Sequence, residues 1–211
     1  MTGLILVRHG ETEWNTAEVF RGRIDIGLSE TGRKQAGRLA GHLSSFEIEA
    51  IYSSPLQRAY QTAEAVAVPH NLAVTVAAGL MDCSFGEWQG QSRREVSQRY
   101  PDLFAEWLQN PHRVRPPGGE TLDEVRQRAV ALVDEVIVRH TGTVVLVSHR
   151  VVHKVLICAL LGLDNARFWN VRLDTCGLTT FTREDDGRLV LVGHNDTCHL
   201  RPLGDARGAD F

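Results

Sequence analysis

Cysteine is sparse in this 211-residue chain: Cys83, Cys158, Cys176 and Cys198 are scattered, no two form a CxxC pair, and no dense framework of the kind that staples small secreted domains exists. Reduced thiols in a cytoplasmic protein are the expectation. A basic excess is missing too. Lys plus Arg number 23 against 26 Asp plus Glu, a net charge of −3, without the surplus or stripe of cations that nucleic-acid or membrane-surface binding requires. Long apolar runs are absent: the longest, Val155 to Leu163, is interrupted by Gly162 and falls far short of the ~20 residues that span a bilayer. Met1 to Val7 meets Arg8 at once, offering neither a basic leader nor an apolar stretch of signal-peptide length. Repeats and low-complexity segments are lacking. What remains is ordinary globular usage, 43% hydrophobic and 23% charged, whose length favours one large domain over two small ones.

Apolar runs alternate with helical periods, which is the pattern of an α/β fold. Leu4 to Val7 is a continuous apolar run, as expected of a strand buried on both faces, and Thr143 to Val147 is the strongest buried-strand candidate in the chain. Shorter strands are predicted at Ala50 to Ser53 and Leu72 to Val76, and a hairpin pair at Leu178 to Thr182 and Leu189 to Val192 around Glu184-Asp185-Asp186-Gly187. Ala36, Leu39, Ala40 and Leu43 give an amphipathic helix over about 31–43, and Leu56, Ala59, Ala63 and Val66 another, with Pro55 suited to its first turn. Thr121 and Glu124 make a capping-box pattern ahead of a long helix reaching about His140, and a further helix covers about 151–161. Between Asp82 and Pro117, Gly86, Gly90, Pro101, Pro111 and Pro116-Pro117 break the pattern into short helices and loops, a lid-like insertion at about 82–118.

Polar clusters stand where buried strands end: Arg8-His9-Gly10-Glu11, Ser53-Ser54-Pro55 leading to Arg58, and Ser148-His149. In open α/β sheets the crevice beyond the carboxyl ends of the strands binds ligands, so these segments are expected to converge. Two arginine forks and two imidazoles suit a phosphoryl group: guanidinium matches phosphate oxygens bidentately, and a neutral imidazole nitrogen attacks phosphorus. Cleaving a phosphomonoester further needs a proton for the poor alkoxide leaving group.

The stretch from Leu6 to Asn15, LVRHGETEWN, resembles the signature of the histidine phosphatase superfamily, the phosphoglycerate mutase-like proteins. Further pieces follow in order: Arg21-Gly22, Leu28 to Gly32, Tyr52 to Ala59, Phe85 to Gly90, Gly118 to Glu120, and Val147 to His149. They cover nearly the whole chain and so favour a single domain over 1–211. The resemblance implies a three-layer α/β/α sandwich with a mostly parallel central sheet. It makes His9 the nucleophile that becomes phosphohistidine, and Arg8, Arg58 and His149 the cationic cradle. It adds Asn15 as a neutral donor, with Arg21 and Gly22 on the substrate side. Asp82 stands where the family usually has glutamate as proton donor, one methylene shorter. Arg150 occupies a position often held by glycine; a contact to a substrate carboxylate and a solvated surface arginine are both open readings. Neither a cofactor nor a metal is implied.

Isolated histidines usually serve structure, and His42, His70, His112, His140 and His194 are read that way. His149 and His153 have helical spacing for zinc but lack a glutamate base and a third ligand. Glu11 and Glu87 are read equally as buttresses or caps and as direct participants, and Trp14, Trp88, Trp107 and Trp169 as core or pocket walls. The 27 residues between Gly90 and Gly118 carry no basic mutase-like insertion, so hydrolysis is favoured over transfer by a cofactor-dependent phosphoglycerate mutase. Segments around Trp107 to His112, Cys158 to Leu163 and Asn195 to Leu200 look similar to metal-independent phosphoserine phosphatases. The expected substrate is therefore a small phosphomonoester, phosphoserine first, with α-ribazole phosphate and broad specificity also open. In that case Arg21, Arg150 and His199 are the candidates for holding its carboxylate. A noncatalytic phospho-ligand or protein-binding module is the reading from another class. Base rates alone place a homodimer among the expected assemblies.

Overall fold

A computed structural model describes residues 3–16 and 18–203, so anything expected of Met1, Thr2, Ala17 and the tail from Gly204 lies outside the described residues. Six strands, β1 (Gly3–Arg8), β2 (Ile48–Ser53), β3 (Val74–Val76), β4 (Thr143–Ser148), β5 (Leu178–Arg183) and β6 (Leu189–Asp196), form one sheet in the order β3-β2-β4-β1-β5-β6. The pairs β2–β3, β2–β4 and β1–β4 are parallel, and β5 and β6 add an antiparallel edge. The helices are α1 (Glu13–Thr16), α2 (Glu30–Leu43), α3 (Gln57–Ala67), α4 (Arg93–Arg99), α5 (Pro101–Gln109), α6 (Leu122–Arg139) and α7 (Arg150–Leu160).

The continuous apolar runs produce the expected double burial. Leu4, Leu6, Val144 and Leu146 face a core shared with α6, α7 and the 82–118 segment, while Ile5, Val7, Val145 and Val147 face a second core with Leu39 and Leu43 of α2 and Ala59, Ala63 and Val66 of α3. This gives the α/β/α layering. Each fully buried Leu, Ile or Val contributes roughly 1.5–3 kcal/mol, which is why register cannot slip without exposing a face. Around the insertion, Phe85, Trp88, Val96, Phe104, Trp107 and Val114 join the same core as Leu4 and Leu6.

Two local expectations need correction. Leu72 and Ala73 do not pair: Asn71 turns left-handed at φ 53° and the Leu72 N–H returns to the Ala67 carbonyl, so the strand starts only at Val74. Pro55 lies ahead of α3 rather than in its first turn. The helix starts at Gln57, whose N–H donates to Asp25 Oδ1 at 2.7 Å, a cap supplied from a distant loop. By contrast, Thr121 and Glu124 form the full capping box of α6.

Register places the site. Arg8 pairs with Ser148, and Ser53 with Val147, so the residues that follow, His9, Ser54 and His149, leave neighbouring strands at one edge of the sheet. The His9 N–H donates to the Ser148 carbonyl at 2.9 Å and the Ser54 N–H to that of Val147 at 3.0 Å, continuing the ladder one step past the strands.

Candidate active site

His9 is buried at the end of β1. Its Nδ1 lies 2.6 Å from the Gly10 carbonyl, which only accepts, so Nδ1 carries the proton and Nε2 keeps a lone pair. Burial, then the charges of Arg58, Arg21 and Arg8, hold its pKa well below the ordinary 6.5, so the ring is neutral at pH 7. The Gly10 N–H donates to Thr62 Oγ1, whose hydroxyl donates to the Arg58 carbonyl, so the turn after His9 is tied to α3. That turn crosses the start of α2 closely. A Cβ on Gly32 would lie within 2.0 Å of the Glu11 carbonyl oxygen, so any larger residue forces the His9 loop away.

His149 caps α7, and its ring centroid lies 5.2 Å from that of His9. Nε2 meets Ser54 Oγ at 2.7 Å, and Nδ1 stands 3.6 Å from Asp82 Oδ2. Burial, and then the charge of Arg58, push its pKa well down, so it too is neutral near pH 7. Arg58, fully buried in the first turn of α3, donates to the carbonyls of Ile24 and Gly22 at 2.9 and 2.7 Å and to Asp82 Oδ2 at 3.0 Å. Gly22 sits at φ +50°, with Gln89 where a side chain would go. Asp82 itself is buried; Oδ1 accepts from the Cys83 N–H, and its carbonyl is held by Arg128 and Arg23.

A cleft is lined by His9, Phe20, Arg21, Gly22, Asp82 and Arg150, among others. Arg21 has its Nη1 buried without a hydrogen-bond partner, and burial together with Arg8, Arg58 and Arg150 drives its pKa well below the ordinary guanidinium value. Among the described residues lining the cleft, Asp82 is the only carboxylate. The start of α7 adds Arg150 and Val151 to the wall, where a helix N-terminus favours an anion.

The structure therefore brings Arg8, His9, Arg21, Gly22, Arg58, Asp82, His149 and Arg150 together. Arg150 is 8% exposed, with its guanidinium 5.8 Å from the Trp169 ring, so the solvated-surface reading is set aside. Asn15 turns back on its own loop, its Oδ1 accepting from the Thr12 N–H and hydroxyl, and does not line this cleft. His199 is a correction. It does not line the cleft; its ring stacks on His42 of α2, because the chain after β6 crosses the other helical layer. His153 donates from Nε2 to the Val7 carbonyl at 2.9 Å, a structural tie between α7 and β1. Glu11 accepts from the Ser29 hydroxyl, and Glu87 from that of Tyr100, as buttresses. Sequence reasoning missed Thr62 and the Arg128–Glu120 pair that steadies the Asp82 backbone, since neither contact has a local pattern.

The family model of the histidine phosphatase superfamily (branch 1) matches residues 4–197. Phosphoserine phosphatase 1 of Hydrogenobacter thermophilus is 42% identical over 201 residues, 95% of this chain and 95% of that relative. The solved structure of Bacillus stearothermophilus YhfR superposes with a TM-score of 0.90 at 33% identity, covering 95% of this chain and 100% of that one. The complex of mycobacterial glucosyl-3-phosphoglycerate phosphatase with VO3 gives 0.86 at 30% identity, over 93% and 100%.

Proposed function

The chain belongs to the histidine phosphatase superfamily, and from that premise we propose that it hydrolyses a small phosphomonoester, phosphoserine first, through a phosphohistidine at His9 without a metal. The observation that carries this reading is the crowding of Arg8, Arg21, Arg58 and Arg150 around a neutral imidazole, with Asp82 the one carboxylate among the described residues that line the cleft. So many buried like charges call for a multiply charged anion.

In the first step the phosphate oxygens take the guanidinium forks and His9 Nε2 attacks phosphorus in line, forming the N–P bond as the P–O ester bond breaks. Charge spread over the equatorial oxygens is offset by the arginines. The departing serine oxygen takes a proton from Asp82, whose Oδ2 faces the same space between Arg58 and His149. In the second step Asp82 takes a proton from water, which attacks phosphorus and restores His9. Arg21 and Arg150, which line the cleft with His9 and Asp82, suit the substrate carboxylate.

Labelled phosphoserine, quenched within one turnover, tests this. Acid-labile, base-stable label on the chain, lost in His9→Ala, is expected, together with a higher kcat/KM for phosphoserine than for sugar phosphates or 3-phosphoglycerate. EDTA should leave turnover intact. Turnover restored only by added metal contradicts the mechanism, and net transfer to a second phosphoglycerate instead of water identifies a mutase.

A further inference from the structure

Away from the cleft, three metal-ligating side chains meet on the α2 side of the sheet. His42 lies in the last turn of α2, and Cys198 and His199 open the 3-10 helix Cys198–Leu203 that follows β6. One ligand atom from each lies within 4.8 Å of the others. The imidazoles are nearly parallel, 21° apart with centroids at 5.3 Å. Both His199 ring nitrogens are shielded from solvent, and among the described residues the Cys176 carbonyl is the acceptor the ring stands beside, too poorly aligned to form a full hydrogen bond. Nothing in the phosphatase chemistry uses these groups.

We propose that His42, Cys198 and His199 form a binding site for a borderline-soft divalent ion, zinc, with water completing a tetrahedral set. An imidazole pair with a thiolate suits zinc and disfavours magnesium or calcium, which prefer oxygen ligands. A proton on the His199 nitrogen nearest the Cys176 carbonyl leaves the other nitrogen's lone pair for the metal, the arrangement in which a backbone acceptor orients a ligating histidine. Cys198 is exposed, so the ion enters from solvent, and its thiol now donates to Asp196 Oδ2 at 3.5 Å. Binding exchanges that thiol proton, released to solvent, for a sulfur–metal bond, with no change of oxidation state. The ligands come from two elements, so an ion there fastens the final 3-10 helix to α2. The site stands whether or not the substrate is phosphoserine.

Cobalt(II) titrated into the full, tag-free chain tests it, since a thiolate ligand gives a charge-transfer band and tetrahedral coordination gives intense visible bands. One equivalent should produce both. Cys198→Ser should abolish the charge-transfer band, and His199→Ala should weaken binding at least about tenfold. Added zinc should raise the thermal midpoint of the unsubstituted chain and leave that of Cys198→Ser unmoved. Absence of the band in the unsubstituted chain, or its persistence in Cys198→Ser, overturns the proposal.

Discussion

Asp82 is held in place through its backbone by Arg128 and through its carboxylate by Arg58, so replacing it removes a proton donor without emptying the cradle. Asp82→Asn is expected to slow the first step, phosphorylation of His9, with alkyl phosphates by roughly 10²–10⁴ and to spare the nitrophenol burst with p-nitrophenyl phosphate, whose leaving group needs no proton. Equal losses in that first step on both substrates would assign Asp82 to binding instead. The buried histidines set the acid response. His153 stays neutral in the fold until about pH 4, against 6.5 ordinarily, and His9 and His149 are displaced in the same direction. The unfolded chain therefore binds more protons below about pH 6.5, so stability is fully present above that value and declines as pH falls toward 4. His153 alone accounts for about 3 kcal/mol of the loss. Urea unfolding between about pH 7 and pH 4.5 measures it, and a flat profile would contradict neutral burial.

At the level of elements, the α6 capping box satisfies two helix N–H groups reciprocally, so Thr121→Ala should cost about 1 kcal/mol in denaturant unfolding while Thr121→Ser costs little. That box is visible in four consecutive residues, as β1 and β4 are visible in their unbroken apolar runs. The start of α3 and the shortness of β3 were not legible, because Asp25 and the Asn71 turn act across distance or through backbone geometry that composition does not encode. The same division runs through the site. The meeting of His9, Arg58 and His149 can be read from strand ends and a family-like motif, since parallel register fixes where strand ends lie. Whether Arg150 is buried or solvated cannot, because its cover, Trp169, comes from a separate segment. His199 shows the converse: its segment looked substrate-facing, but its position depends on which helical layer the chain crosses after β6.

For the molecule as a whole, a net charge of −3 conceals a site of concentrated positive charge, so the overall balance says little about what the cleft binds. Residues 82–118 share the core of the sheet through Trp88 and Trp107, so we expect them to unfold with it. Tryptophan fluorescence and far-ultraviolet circular dichroism should then trace one coincident transition, and Trp107→Ala should shift that transition by about 3–5 kcal/mol rather than split it. The antiparallel edge carries another consequence. Leu178 of β5 lies beside Val7, near the cleft, whereas Thr182 lies beside Gly3, so the exposed turn Glu184–Gly187 projects from the opposite rim. A strand length, roughly 20 Å, separates that turn from the reacting groups. The β5–β6 turn is thus the place to splice in a fluorophore tag, a capture peptide or a fused reporter while the phosphatase keeps working.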